Sequence, residues 1–292
     1  CSSDLSSSTS RSSLTGWLYV SPLVGVLVPF FLAPILVVLA ASFFGSDGFG
    51  GLTPGFTLAN YVEVLHSALT LKLYLATIKF TVLTWIFTLL IGFFVAYFLV
   101  FHVRNQLLAI GLFLLCTVPF WTSNIIRMIS WVPFLGRNGI ANQTLMGLGI
   151  TRSPLEWLLF SDFAVILAFV HLYTLFMVVP IFNTMMRIDK SLIEAARDNG
   201  ASGLQILTNV IVPLTKPGIM IGSIFVVTLV MGDFITVRFM SGSQSANVGR
   251  LISNDIGLLQ YPSAAATAVV LLLTVLIVIG TLLRLVDIRK EL

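Results

Sequence analysis

An all-α polytopic membrane protein is the fold class this sequence predicts, with about six transmembrane helices and one long surface loop between the fourth and fifth. Three observations predict it. The 292-residue chain is 57% hydrophobic and only 10% charged, whereas an ordinary soluble domain carries roughly a quarter charged residues. Apolar runs of about 20 residues recur along it, the length a helix needs to cross about 30 Å of hydrocarbon. Basic residues gather at the ends of those runs, so the formal net charge of +4 reflects membrane boundaries, not a nucleic-acid footprint.

Residues 1–16 are Ser-rich and bury nothing, so a disordered cytoplasmic tail is expected there. The first span is read as Trp17 to Phe44. It is too long and unpunctuated for a cleaved signal peptide, which predicts a retained helix. Pro22, Pro29 and Pro34 fall inside it, and membrane helices tolerate proline because neighbouring groups re-satisfy the freed carbonyls. A Gly-rich loop runs from Gly45 to about Leu71 and ends in an amphipathic stretch, Tyr61 to Leu69. The second span is expected over Leu73 to Val100 and the third over Leu107 to Pro133. Residues 134–162 mix short apolar stretches with Arg137, Asn138, Gly139, Arg152 and Pro154, the pattern of a loop with short interfacial helices. The fourth span is Phe163 to Met186, the fifth Pro217 to Met240 and the sixth Ala264 to Val286.

An even number of spans puts both termini on one side. Taking that side as the cytoplasm collects Arg11, Arg104, Arg187, Lys190, Arg197, Lys216, Arg284, Arg289 and Lys290 inside. Lys72, Arg137, Arg152 and Arg250 lie outside, and Lys79, Arg127 and Arg238 fall within spans. This excess predicts cytoplasmic termini. The cysteines, Cys1 in the tail and Cys116 in an apolar run, offer neither a disulfide framework nor a metal spacing.

The loop after the fourth span is long and polar. Ser191 and Glu194 have capping-box spacing, and Leu192, Ile193 and Ala196 give a short apolar face. Gly200 stands where a helix end turns left-handed at little cost. Ser202 can cap a second helix with Leu204, Ile206, Leu207 and Val210 at helical spacing, and Pro213 and Pro217 punctuate the return to the membrane. Helix, tight turn and second helix at the cytoplasmic surface is the expected result.

Glu194-Ala195-Ala196, then Gly200, Val210, Val212 and Pro213, resembles the EAA motif of the membrane permeases of binding-protein-dependent ATP-driven (ABC) importers. Val210 and Val212 stand where the family more often has Ile and Leu. Val118-Pro-Phe-Trp-Thr-Ser-Asn124-Ile-Ile-Arg127 resembles the third-span segment of the first membrane subunit of spermidine/putrescine permeases. Gly232-Asp233-Phe234 recurs in polyamine, iron and opine importers, but Arg238 and the single Gly242 depart from the small residues and Gly pair that follow it there.

The resemblance implies one permease domain over residues 17–292, with a coupling loop at 187–217, in the bacterial inner membrane. Glu194, Ala195, Ala196, Arg197, Asp198, Gly200 and Pro213 would then couple to an ATPase: Glu194 as a charged contact, the alanines allowing close approach, Gly200 setting the bend. The implied partners are a dimer of ATPase subunits using ATP and Mg, a second permease subunit, an external substrate-binding protein and a small-molecule substrate such as a polyamine. No cofactor is expected on this chain, no metal site and no nucleic acid.

Charges within spans cost about 3 kcal/mol each and call for partners or a wet cavity. Asp233 has two readings, a contact for a cationic amine or a structural ion pair with Arg238, Lys79 or Arg127. Arg127 either snorkels to the interface or pairs with a carboxylate. Trp121 and Trp131 suit an interfacial aromatic belt; Phe120, Trp121, Asn124 and Tyr173 equally suit a pathway whose ring faces attract amines. His171 reads as a packing residue and Lys79 as snorkelling outward.

No catalytic site is legible. The chain lacks a Gly-rich phosphate loop ending in Lys-Ser or Lys-Thr, so ATP hydrolysis belongs to another subunit. An intramembrane enzyme would need a nucleophile and base that are not evident. A proton-coupled secondary transporter using Asp233 and His171 is the competing class, and it leaves the Glu194 loop unexplained.

Overall fold

The computed structural model describes residues 19–47, 50–103 and 105–285. The N-terminal tail, expected over 1–16, lies outside them. The chain divides into two compact units, Cys1–Val64 with Asp255–Val269, and Leu65–Asn254 with Val270–Leu292.

In the first unit, α1 (Tyr19–Ala41) is long and apolar enough to cross a membrane and is exposed along its length. A π-helical turn at Val28–Leu32 absorbs the N–H missing at Pro29. A two-stranded hairpin pairs β1 (Gly45–Ser46) with β2 (Leu52–Thr53). Tyr61, on α2 (Ala59–His66), bonds the Ser42 hydroxyl at 2.6 Å, and Asn60 donates to the Ser42 and Phe44 carbonyls at 2.9 Å each. This fastens the amphipathic segment under the end of α1.

The second unit holds the core. Three spans pack together: α3 (Ala68–His102), α7 (Asp162–Met185) and α9 (Gly203–Gly232). Lipid offers no hydrophobic drive between helices, so close approach over small residues replaces it. On α3 the buried seam is Thr77, Thr81, Thr84, Thr88, Gly92 and Ala96. The hydroxyls of Thr77, Thr81 and Thr88 each return to a carbonyl one turn back at 2.8 Å, so a polar residue is satisfied within its own helix. A Cβ on Gly218 would stand 2.6 Å from the Pro180 carbonyl, and one on Gly222 would stand 2.7 Å from the Met177 sulfur. Trp85 donates across the seam to Ser223 at 2.8 Å.

Several expected boundaries move. The third span does not run to Pro133. It breaks between α4 (Gln106–Thr117, continued as a 3₁₀ turn Val118–Trp121) and α5 (Asn124–Leu135), with an 89° bend. Pro119 and the extended backbone at Thr122 and Ser123 turn the chain there. Residues 134–162 form the expected loop, with a short helix α6 (Ile140–Gly147) and a 3₁₀ turn at Glu156–Leu158. The fourth crossing, α7, matches its reading within a residue at each end.

The fifth crossing begins earlier than Pro217 and ends earlier than Met240, because α9 is continuous from Gly203 to Gly232. Pro213 therefore does not end the second loop helix. A π turn at Leu207–Ile211 just before it lets the helix run straight on into the membrane. Asp233 and Phe234 break the helix, and a short α10 (Ile235–Met240) follows. A loop helix α11 (Val248–Gly257), not anticipated from the sequence, precedes α12 (Tyr261–Leu285), the sixth span.

Candidate functional site: a coupling loop and a membrane carboxylate

Helices α7 and α9 are joined by residues 186–202. The first loop helix, α8 (Lys190–Asp198), is capped by Asp189, whose carboxylate accepts the Ser191 N–H at 3.0 Å. Hydrogen bonds from the Ser191 backbone N–H and the Ser191 side chain hold the Asp189 carboxyl below the usual carboxylate range. The expected Ser191–Glu194 capping box is not formed, because Asp189 already fills the cap two residues earlier. Gly200 has φ +80°, and the N–H groups of Gly200 and Ala201 return to the carbonyls of Arg197 and Ala196 at 2.8 and 3.0 Å. This is the Schellman closure the glycine promised. Ser202 and Gln205 form a reciprocal capping box that starts α9.

Ile193 and Ala196 turn toward the core, while Leu192, Glu194, Ala195, Arg197 and Asp198 stay exposed. The loop is thus rigid in its own bonds and bare on its outer face. Pro213 sits within α9 rather than at its start.

The opposite end of the same helices holds the second group of residues. The Asp233 carboxylate accepts the Tyr173 hydroxyl at 2.7 Å, the Thr236 N–H at 2.9 Å and the Thr236 hydroxyl. It thereby holds the first turn of α10 and ties the end of α9 to α7. Asn247 donates to the Asp233 carbonyl at 2.9 Å, closing the break from the other side. Among the described residues the ion pairs are Lys79–Asp162 and Arg137–Glu156, so the structural pairing of Asp233 with Arg238, Lys79 or Arg127 is not formed. Arg238 is exposed.

Tyr173 continues into aromatic contacts. Its ring centroid lies 6.2 Å from Phe176, which lies 4.8 Å from Phe120 and 6.0 Å from Phe225. Arg127 is 8% exposed; it bonds the Asn124 side chain and lies over the Phe120 ring at 5.4 Å, so it neither snorkels nor meets a carboxylate. Phe120, Asn124, Arg127, Tyr173 and Asp233 are therefore drawn into one neighbourhood. Trp121 is not; it is 88% exposed. Trp131 donates its indole N–H to His171 Nδ1 at 3.0 Å, which leaves His171 a packing residue with its Nδ1 lone pair engaged.

Sequence reasoning missed Phe176, Phe225 and Thr236. The phenylalanines carry no polar signal in an apolar helix. Thr236 follows Asp233 by three residues, a spacing that brings two side chains to one side of a helical turn. Lys79, expected to snorkel outward, is half exposed and pairs with Asp162 at the start of α7, a partner the sequence did not name.

The model of the family described as "binding-protein-dependent transport system inner membrane component" matches residues 7–290. The chain belongs to that family. It is a multi-pass inner-membrane transport subunit and not an enzyme; in these systems ATP is hydrolysed by a separate subunit.

The spermidine/putrescine transport system permease protein PotB of Escherichia coli K12 is 34% identical over 262 residues, 89% of this chain and 92% of its own length. Its namesake in Haemophilus influenzae is 34% identical over 229 residues, 78% of this chain and 79% of the relative. The inner membrane ABC transporter permease protein YdcU of E. coli K12 is 27% identical over 265 residues, covering 87% and 83%. Among solved structures, a bacterial ABC transporter that imports alginate superposes with a TM-score of 0.74 at 16% identity, over 96% of this chain and 97% of that one. That likeness shows the fold. Family membership sets aside the proton-coupled alternative, whose two residues, Asp233 and His171, share no hydrogen bond among the described residues.

Proposed function

We propose that this permease forms half of the translocation pathway for a polyamine or a similar small organic cation. A second permease subunit completes the pathway, and a pair of ATPase subunits, which bind ATP and Mg, docks on the loops of the two permeases, on this chain at 187–217 through Glu194, Ala195 and Ala196. An external binding protein delivers substrate at the opposite end, and both termini face the cytoplasm. ATP binding closes the ATPase pair and draws the two loops together, which opens the pathway outward; hydrolysis resets it.

The observation that carries the substrate class is Asp233. It is a carboxylate at the break of a membrane crossing, held among the described residues only by neutral donors. An unneutralised negative charge there costs about 3 kcal/mol, and an amine cation complements it. The Tyr173 ring, whose hydroxyl bonds Asp233, and the Phe176 ring packed against it suit the same cation. Relatives named for spermidine and putrescine support the reading.

One reconstitution separates its two halves. The complex is purified with its ATPase and loaded into vesicles, and putrescine uptake is measured with binding protein outside. Glu194→Arg is expected to lose the ATPase while the permease still inserts. Asp233→Asn is expected to retain the ATPase and lose uptake by about ten-fold or more, the loss of one charge-assisted contact. Uptake by Asp233→Asn at the normal rate would remove the carboxylate from the pathway; retention of the ATPase by Glu194→Arg would remove the loop from coupling.

A further inference from the structure

We propose that Asp162, at the start of α7, is a second, earlier seat for a substrate ammonium, and that the Lys79 side chain occupies it in the absence of substrate. The inference rests on the amine reading above. Three elements build the seat. Lys79 of α3 donates to Asp162 Oδ2, and Ser245, in the turn after α10, donates to Asp162 Oδ1. The Phe80 ring lies 5.2 Å from the Lys79 nitrogen. A carboxylate oxygen on one side and an aromatic face on another is the chemistry that selects an ammonium ion.

The group now in the seat states what fits it. Lysine ends in a primary ammonium on four methylenes, which is also how a linear polyamine ends. The seat is accessible, since the Lys79 and Asp162 side chains are 48% and 41% exposed. A pair that open contributes little to stability. The surrounding turn is also held without it: Val248 donates to the Thr77 hydroxyl at 3.1 Å, the Ser241 hydroxyl to the Ser245 carbonyl at 2.9 Å, and Arg250 to the Ser243 hydroxyl at 3.2 Å.

The seat also lies on the route. Asp162 and Tyr173 are eleven residues apart on α7, which is three turns and so the same helix face, about 16 Å along the axis. Tyr173 holds Asp233. An ammonium arriving at the end of α7 meets Asp162 first, displaces Lys79, and has Asp233 ahead of it on the same face. Lys79 acts as a tethered competitor.

Competition predicts opposite signs for the two partners, which a structural ion pair does not. The test is equilibrium binding of radiolabelled putrescine to the purified permease–ATPase complex, with binding protein omitted. Lys79→Met frees the seat and is expected to tighten binding about three-fold, the worth of an exposed pair. Asp162→Asn is expected to weaken it about ten-fold. Changes in the same direction, or none, overturn the seat. If Asp162→Asn fails to assemble with the ATPase, Lys79→Met decides alone, and unchanged or weaker binding overturns it. Loss of binding in Asp233→Asn with none in Asp162→Asn keeps the inner contact and removes the outer one. No binding to any form, Lys79→Met included, removes the amine reading and the seat with it.

Discussion

At one end α7 and α9 are joined by a loop whose hydrogen bonds are local; at the other, α7 bonds residues far from it in sequence, on α3, at the end of α9 and in the turn after α10. In the loop, Asp189 bonds Ser191, Gly200 bonds Arg197 and Ser202 bonds Gln205, each within three residues. At the far end, Tyr173 bonds Asp233 across 60 residues and Asp162 bonds Lys79 and Ser245 across 83. Local bonds travel with the segment that contains them. A push on the loop therefore moves it as a rigid piece, and the displacement is felt where bonds span α7 and α9.

The largest expected effect tests the seam between those helices. Gly218→Leu forces a side chain into the Pro180 carbonyl, 2.6 Å from the Cβ position, and should cost about 3 kcal/mol. Thermal unfolding of the purified protein measures it; a change below the noise would mean the seam yields and transmits little. Tyr173→Phe removes one interhelical donor to a carboxylate and should lower global stability by about 1 to 2 kcal/mol, read from the same melts.

Gly200→Ala places a Cβ at φ +80° with no neighbour within 4 Å, so its penalty of about 1 kcal/mol is purely conformational. It should raise hydrogen exchange across α8 and leave the global melting temperature in place. A global shift from Gly200→Ala, or none from Tyr173→Phe, would break the contrast between the two ends.

The smallest effect is a pH response in the first unit. Burial holds the Asp255 carboxyl above the usual carboxylate range; the nearby Glu63 charge adds to this, and the Ser263 hydroxyl at 3.2 Å partly offsets it. A raised folded-state value means the contribution is complete below the unfolded value, near about 4, and is lost as pH rises through the folded one. Stability should fall over that window, and Asp255→Asn should flatten the fall in pH-scanned melts.

Much of the loop was legible because its chemistry is short-range. Gly200 was assigned its left-handed turn and Ser202 its cap from neighbours within a few residues, and both hold. The misplaced cap at Ser191 shows the limit, since two candidates two residues apart compete and the structure takes Asp189. Span positions were legible where hydropathy alone decides, as for α7 and α12. They failed at Trp121–Asn124 and Gly232–Asp233, where the apolar pattern runs on but the backbone does not.

By itself the sequence determined the membrane class, the crossings and a two-helix loop of the importer family, because length, hydropathy and capping are properties of a short stretch of chain. Only the tertiary structure decided which charges meet. Lys79 finds Asp162, Asp233 finds Tyr173, and Thr77 receives the N–H of Val248 from 171 residues away. Those pairings follow from how closely α3, α7 and α9 approach over glycine and threonine, which no periodicity within a single helix encodes.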